Sequence, residues 1–505
     1  MMIYTIEANY FDLNTASAKV LYLSTGQFAT KSADTPANTQ FYPYIIDPGS
    51  IGISIYSEGL VAGQTQLQIG EVTLINTGGI LDFLKVASFG NRDIIIRYGD
   101  NTGAYPSTFK TVFYGTAQSF EIGYDQVVIQ LMDKSYSLQQ PLLTDKYGGT
   151  NALPAGIDGT ADDIKGLIKP RVYGTVYNVQ PIQVNTSKLI YQVHSGNALS
   201  VITTVYDQGI ALTFGTDRAN NAAMQATAPA AGSYDTCLAE GLIRLGATPA
   251  GMITMDCSDG ATAAARTVGQ IMKSIAADAG VTVYASDVTA MDTDNLQECG
   301  LYVNDDRNIS QALDEIAATI NAFYYYDNIN QFRIDWVVGY DNILSYVDLF
   351  EANILNIDMR YSVTNIPVYK VSANYKNIET VQTSDLAGAV TDARRAFLSK
   401  PYRNGVATYA TVKTQNLNAR SLEIASRFIV STDASDEADR IALMYGSPSF
   451  IYDVTIPIEE FDYNLMDGIM LYHSRFDMPA LPYTALIGYT LNLSDNTATL
   501  NLWGA

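Results

Sequence analysis

Cysteine, histidine and basic charge are all scarce in this 505-residue sequence. Its three cysteines, Cys237, Cys257 and Cys299, lie far apart and form no Cys-x-x-Cys pair. An odd, sparse set excludes a disulfide framework and supplies no zinc-ligand spacing, so buried free thiols are expected. Two histidines in the whole chain argue against a histidine-based metal site. Lys and Arg total 30 against 52 Asp and Glu, a formal net charge of −22. That excludes a nucleic-acid binder held by a basic surface, because neutralising phosphates needs Lys and Arg in excess. Charged residues are nevertheless only 16% of the chain and hydrophobic ones 47%, which excludes disorder. No stretch approaches the roughly 18 apolar residues of a membrane span. The opening MMIYTIEANYFD lacks the basic residues and long apolar core of a signal peptide, so folding in a cytoplasm is expected.

What fills the sequence instead is uncharged polarity and 35 Tyr. Tyr at this level suits strands and protein contacts, where an apolar ring carries a wet hydroxyl. The fold expectation is mainly β with an inserted α/β domain, built of antiparallel β-barrels in several domains. Residues 1–145 read as a β-barrel or sandwich, with strands at 93–99, 111–117 and 126–133. Residues 146–235 form a second β-rich domain. It opens on a Gly- and Pro-rich stretch with at most a helical turn near 161–167, and ends in an Ala-rich linker, 219–232. Residues 236–340 form a small α/β domain. Its first helix, within 261–279, places Val268, Ile271, Met272, Ile275 and Ala276 on one face, and Gly280 stops it. A second helix runs from Ser310 as N-cap to Asn321, followed by a hairpin, 322–327 and 331–338. Residues 341–505 form a C-terminal β-barrel with one helix, 431–445, capped by Ser431 or Thr432. Strands 489–494 and 497–503 make its closing hairpin.

The chemistry-bearing residues do not assemble into an enzyme signature. His194 and His473 are each followed by serine, but strand neighbours point to opposite faces, which counts against a Ser–His pair. The acid pairs Asp162/Asp163, Asp305/Asp306 and Glu459/Glu460 read as solvated turns rather than a glycosidase pair. Asp292-x-Asp294 and Asp256-x-x-Asp259 share spacing with calcium loops but lack the Gly and terminal Glu at the right offsets, and calcium stays open. The Gly-rich YGGT (147–150) and GIDGT (156–160) have no following Lys-Ser/Thr and are not phosphate loops. Tyr324, Tyr325 and Tyr326 alternate faces on a strand and cannot form one stacking platform. No catalytic, cofactor-binding or metal-ligating residue is assigned.

Several segments in order carry a resemblance. DDIKGLIKPRVYGTVYNVQP (162–181), LIYQVHSG (189–196), VYDQGIAL (205–212) and GLIRLGATPAGMITMD (241–256) resemble tail proteins of long-tailed bacteriophages and prophages. ISQALDEIAATINAFYYYDNINQFRIDWV (309–337) and the ending ATLNLWGA (498–505) are similar to segments of tail baseplate hub or tail-tip proteins. The resemblance implies a structural, non-enzymatic virion protein, assembled in the host cytoplasm and placed at the tail tip. It implies a homotrimer that closes the distal end of the tail tube and takes part in channel opening for DNA ejection. The implied partners are the distal tail protein, the tape-measure protein and a central tail-tip or fibre protein. DNA passes through the lumen without specific binding, and contact with the host surface is indirect. Some relatives carry an iron–sulfur cluster or a muralytic domain; this chain lacks the clustered cysteines for the first and any motif for the second. The acid excess is expected to line the lumen. The alternative reading is a tip or fibre protein that binds a receptor or polysaccharide.

Overall fold

The computed structural model describes residues 1–56, 63–151, 156–361, 366–475 and 483–504. The chain is mainly β, built from several largely antiparallel sheets. The N-terminal sheet runs in the order Ser17–Ser24, Met2–Asp12, Ile94–Asp100, Lys110–Ile122, Gln126–Met132, Glu71–Ile75, Ile45–Asp47. Alternation drives it: Tyr4, Ile6, Ala8 and Tyr10 point inward from the first strand, and Ile94, Ile96 and Tyr98 from its neighbour. The segment just before Ile45 closes this sheet on itself. Tyr42 pairs with Leu23 on one side, while Ile45 pairs with Leu74 on the other. A barrel closed in this way leaves few unpaired backbone groups.

The C-terminal sheet runs Tyr346–Phe350, Gly468–Tyr472, Tyr483–Asn492, Thr497–Gly504, Phe450–Pro457, Asn356–Arg360. Its two edge strands are consecutive in sequence, joined only by Glu351–Leu355, of which Glu351–Asn353 is a 3-10 turn. Six flat strands would separate those edges by about 24 Å. A connection of that length, partly in a 3-10 turn, reaches only about 16 Å. The sheet must therefore curl. Strand Ser50–Ser54 leaves the N-terminal region and pairs with Gly488–Asn492, and Gln66–Ile69 pairs behind it. The two curled sheets share one core, in which Ile6, Ile96 and Val127 meet Val454, Leu491 and Leu500. Each such side chain stabilises the fold by about 1.5–3 kcal/mol relative to exposure.

The middle of the chain builds a smaller sandwich. One sheet contains Val201–Asp207, Ile253–Ser258, Arg171–Val179 and Gly300–Val303, the other Ile182–Asn185, Ile190–Gln192, Leu242–Leu245, Ser233–Cys237 and Thr213–Asp217. The expected helical turn near 161–167 is a run of turns without helix. The Ala-rich segment 219–232 is a correction: it is no slack linker. It crosses between the parallel neighbours Thr213–Asp217 and Ser233–Cys237 and contains helix Asn221–Ala226. Asn220 caps that helix, Met224 is fully buried, and Arg244 Nη1 donates to the Met224 carbonyl at 2.6 Å. Strand Ser233–Cys237 runs across position 235.

Helix Val268–Asp278 buries the five residues expected on its face, and Gly280 adopts the left-handed φ of 73° that ends it. The next helix, Ile309–Ala317, is capped by Asn308 rather than Ser310. The Asn308 side chain accepts from Gln311 N–H, and the Gln311 side chain accepts from Asn308 N–H. The hairpin Ala322–Tyr326 with Phe332–Trp336 follows. Helix Ser431–Met444 starts from Val430 without a side-chain cap, so neither Ser431 nor Thr432 serves. It packs over the three-stranded sheet of Arg403–Thr408, Val368–Tyr375 and Arg420–Phe428. Helices Ala285–Asp294, Asp392–Leu398 and Ala410–Gln415 add to the expected set, so the C-terminal region holds more than one helix.

Candidate functional site

The residues that could have carried chemistry are committed to the fold. His194 is buried; its Nδ1 accepts from Val172 N–H at 3.1 Å, and its Nε2 lies 2.6 Å from Asn197 Oδ1 and carries the proton. Burial pushes its pKa down, keeping the ring neutral. Ser195 instead donates to the Pro170 carbonyl. His473 accepts from Arg475 N–H, and Ser474 donates to Glu351. Ser195 and His194 thus have separate tasks, whereas Ser474 and His473, the latter with Nε2 at 3.7 Å, both meet Glu351.

Several of the acids are occupied too, while Asp162, Asp294, Asp306 and Glu460 are exposed. Glu459 accepts the Tyr98 hydroxyl at 2.8 Å, and Asp305 holds Arg307. Asp292 accepts from Thr267 and Gln270, while Asp256 accepts from Asn178 N–H and the Tyr206 hydroxyl. Among the described residues, no three His, Cys, Asp or Glu side chains gather where they could hold a metal ion. All three cysteines are buried, and burial pushes the Cys237 thiol up to about 11 and those of Cys257 and Cys299 higher still. Such thiols are poor nucleophiles at neutral pH. Tyr324 and Tyr325 are buried on opposite faces of their hairpin, and the Tyr324 hydroxyl donates to Asp314 at 2.8 Å.

What the fold leaves open is contact surface. Edge strand Tyr346–Phe350 exposes Val347 and Phe350, with Phe350 stacked 5.2 Å from Tyr472 and Tyr346 4.8 Å from Tyr483. The opposite edge, Asn356–Arg360, is flanked by exposed Leu355 and Tyr361. In the central sandwich, edge strand Thr213–Asp217 is exposed on both faces, and Phe214 retains 53% of its surface. Edges like these present unpaired N–H and C=O groups together with apolar rings, the ingredients of a protein–protein contact.

A half-buried charge cluster ties the helical unit to the three-stranded sheet, and no sequence spacing announces it. Arg307 contacts Asp305 at 2.7 Å and Glu315 at 2.6 Å. Arg427 contacts Glu315 and, at 3.1 Å, Glu379. Burial lowers the Arg427 pKa to about 10 and raises that of Glu379 to about 7. The only local signal was charge on both flanks of helix Ile309–Ala317; the partners at 379 and 427 come from fold topology.

No family model and no curated protein matches the chain. Solved structures do show a likeness in outline. The 43 kDa tail protein of prophage MuSo2 from Shewanella oneidensis is 9% identical at a TM-score of 0.40, covering 92% of this chain and 96% of that one. The tail protein from Neisseria meningitidis MC58 is also 9% identical at 0.40, covering 92% and 94%. A chain of a native gene transfer agent virion is 10% identical at 0.42, covering 74% and 92%. All three scores lie below 0.5, and likeness at that level bears no weight for function.

Proposed function

We propose that this chain is a structural protein of a long-tailed phage or prophage tail, the baseplate hub that closes the distal end of the tail tube. The observation that carries the reading is the pair of curled β-sheets, one from each end of the chain, fused over one core with the middle of the chain inserted between them. A tube-closing subunit needs rigid barrel-like walls and open strand edges for its neighbours, and both are present. The ordered segments between 162 and 337, together with the closing strand, support the same family.

In this reading the four divisions, 1–145, 146–235, 236–340 and 341–505, are working parts of a homotrimer. It joins the distal tail ring to a central tip or fibre, meets the tape-measure protein inside, and opens for DNA ejection. Duplex DNA carries one negative charge per about 1.7 Å of axis, so an acidic lumen lets it slide without adsorbing. The chain has no catalytic task; its chemistry is contact and electrostatics. Quantitative mass spectrometry of purified particles tests this: three copies per tail are expected, and absence from the particle, or the copy number of a fibre or tube protein, contradicts it.

A further inference from the structure

The curled C-terminal sheet keeps two free edges. Among the described residues, strand Tyr346–Phe350 has one strand neighbour, Gly468–Tyr472, and strand Asn356–Arg360 has one, Phe450–Pro457. The two edge strands do not pair with each other, although only Glu351–Leu355 separates them in sequence. A strand inserted between them would set the edges about 9–10 Å apart. The connection, which reaches about 16 Å, allows that spacing.

Burial marks where this seam is open. Leu349 and Ile357, near the connection, are 3% and 7% exposed. Val347 and Met359 lie two positions further out on their strands and so belong to the same inner face. Yet they are 53% and 39% exposed. The seam is thus covered beside the connection and open at its far end, where two inward apolar side chains lack a cover.

Charge accounts for the edges staying apart. A hairpin closed directly over the connection would set Phe350 against Asn356 and hence Asp348 against Asp358. Like charges placed opposite each other oppose pairing. Both aspartates are exposed, and neither has a cationic partner among the described residues. Asp358 accepts from Asn356 Nδ2 at 2.9 Å, and Arg360, the one base on either strand, is held by Asp453 at 2.7 Å. Phe350 lies on the same outer face as Asp348, stacked on Tyr472 and 52% exposed.

We propose that this seam accepts an extended segment of a basic partner protein as an added strand. The segment's backbone bonds the unpaired N–H and C=O groups that edge strands present. Its apolar side chains point inward between Val347 and Met359. On its other face a Lys or Arg sits between Asp348 and Asp358 and cancels the repulsion that holds the edges apart. Alternating apolar and basic residues are therefore what the seam selects, and the inference stands whether or not the chain is a tail hub.

Fluorescence anisotropy with the full chain tests it, using three labelled peptides. They are TVKVRVT, its acidic counterpart TVEVEVT, and TVKVRVT with every second amide N-methylated so that it cannot pair as a strand. The basic peptide is expected to bind saturably, and the other two at least tenfold more weakly. Asp348→Asn and Asp358→Asn, both at exposed positions, should each weaken it several-fold. Val347→Asn, also exposed, leaves the charge unchanged and should weaken it as well. Hydrogen exchange should slow in both edge strands when the basic peptide is bound. No saturable binding, equal binding of the basic and acidic peptides, or no effect of N-methylation overturns the proposal. Binding unchanged in Val347→Asn means plain charge attraction and overturns it too. So does self-association of the chain alone that both aspartate variants abolish, since the occupant is then a second copy.

Discussion

The Tyr4 hydroxyl donates to Asn496 Oδ1 at 3.0 Å, joining residues 492 positions apart. Asn496 is held at φ 54° in the turn between the last two strands, a conformation asparagine tolerates better than most residues. Close by, Tyr98 reaches Glu459, and Lys110 reaches the Phe461 carbonyl. The two ends of the chain are thus locked together around the core they share. Tyr4→Phe should lower stability by about 0.5–1.5 kcal/mol without changing the fold. Urea denaturation read by circular dichroism measures the loss.

The shared core makes a stronger demand. Leu500 is fully buried between the two curled sheets, so Leu500→Ala should cost about 2–5 kcal/mol. Because one core serves both ends, that loss should appear equally in hydrogen exchange of Met2–Asp12 and of Phe450–Pro457. Protection falling in the C-terminal strand alone would mean that the sheets unfold separately.

The half-buried charge cluster predicts a larger effect than its surface counterparts. Arg427→Met leaves Glu315 and Glu379 without their shared guanidinium, and losing these charge-assisted bonds should cost about 1.5–3 kcal/mol. Lys19→Met, at the solvent-screened pair with Asp12, should shift the melt far less. Thermal melting of the two variants side by side gives the comparison.

Asp335 predicts how stability depends on pH. Burial raises its carboxyl to about 7 in the folded chain, against an ordinary 3.8. The native state then holds a proton that the unfolded state has released between about pH 4 and 7. Stability from this group is complete below the lower value and is lost as pH rises through the upper one. Asp335→Asn should flatten that fall and be more stable than the parent at pH 8 by about 1 kcal/mol or more. Urea midpoints at pH 5 and pH 8 provide the test, and an unchanged slope in the variant contradicts it. Glu379, also raised, contributes with the same sign.

The cysteines should be silent. With Cys237, Cys257 and Cys299 buried and their thiols pushed up, a thiol-reactive dye at neutral pH should label none of them until denaturant is added. Labelling of one native thiol would place it in a mobile or reactive setting.

Legibility followed the range of the interactions. Helix Val268–Asp278 was readable because its apolar residues recur at helical spacing, and each one is buried. Helix Ala285–Asp294 was not, since only Val288 and Met291 are buried on an otherwise polar segment. Ser310 was a reasonable cap by residue type, but Asn308 stands where the backbone leaves the extended region, and position decides. The Ala-rich crossover read as a linker because small side chains give no periodic signal; Met224 is its buried side chain, and Arg244 and Glu240 hold its backbone. Barrel closure through Tyr42 and the transfer of Ser50–Ser54 to the C-terminal sheet lie beyond local pattern. Alternation tells which face is buried, not which distant strand is the neighbour. The charge cluster was hidden for the same reason, since Arg427 reaches Glu315 across more than a hundred positions.

An electron cryomicroscopy map of the intact tail tests the central claim most directly. The account predicts this chain at the distal end of the tube, in three copies, with its two fused barrels in the wall and acidic side chains facing the channel. Density that places it along a peripheral fibre, or a basic lumen with the acids turned outward, would contradict it.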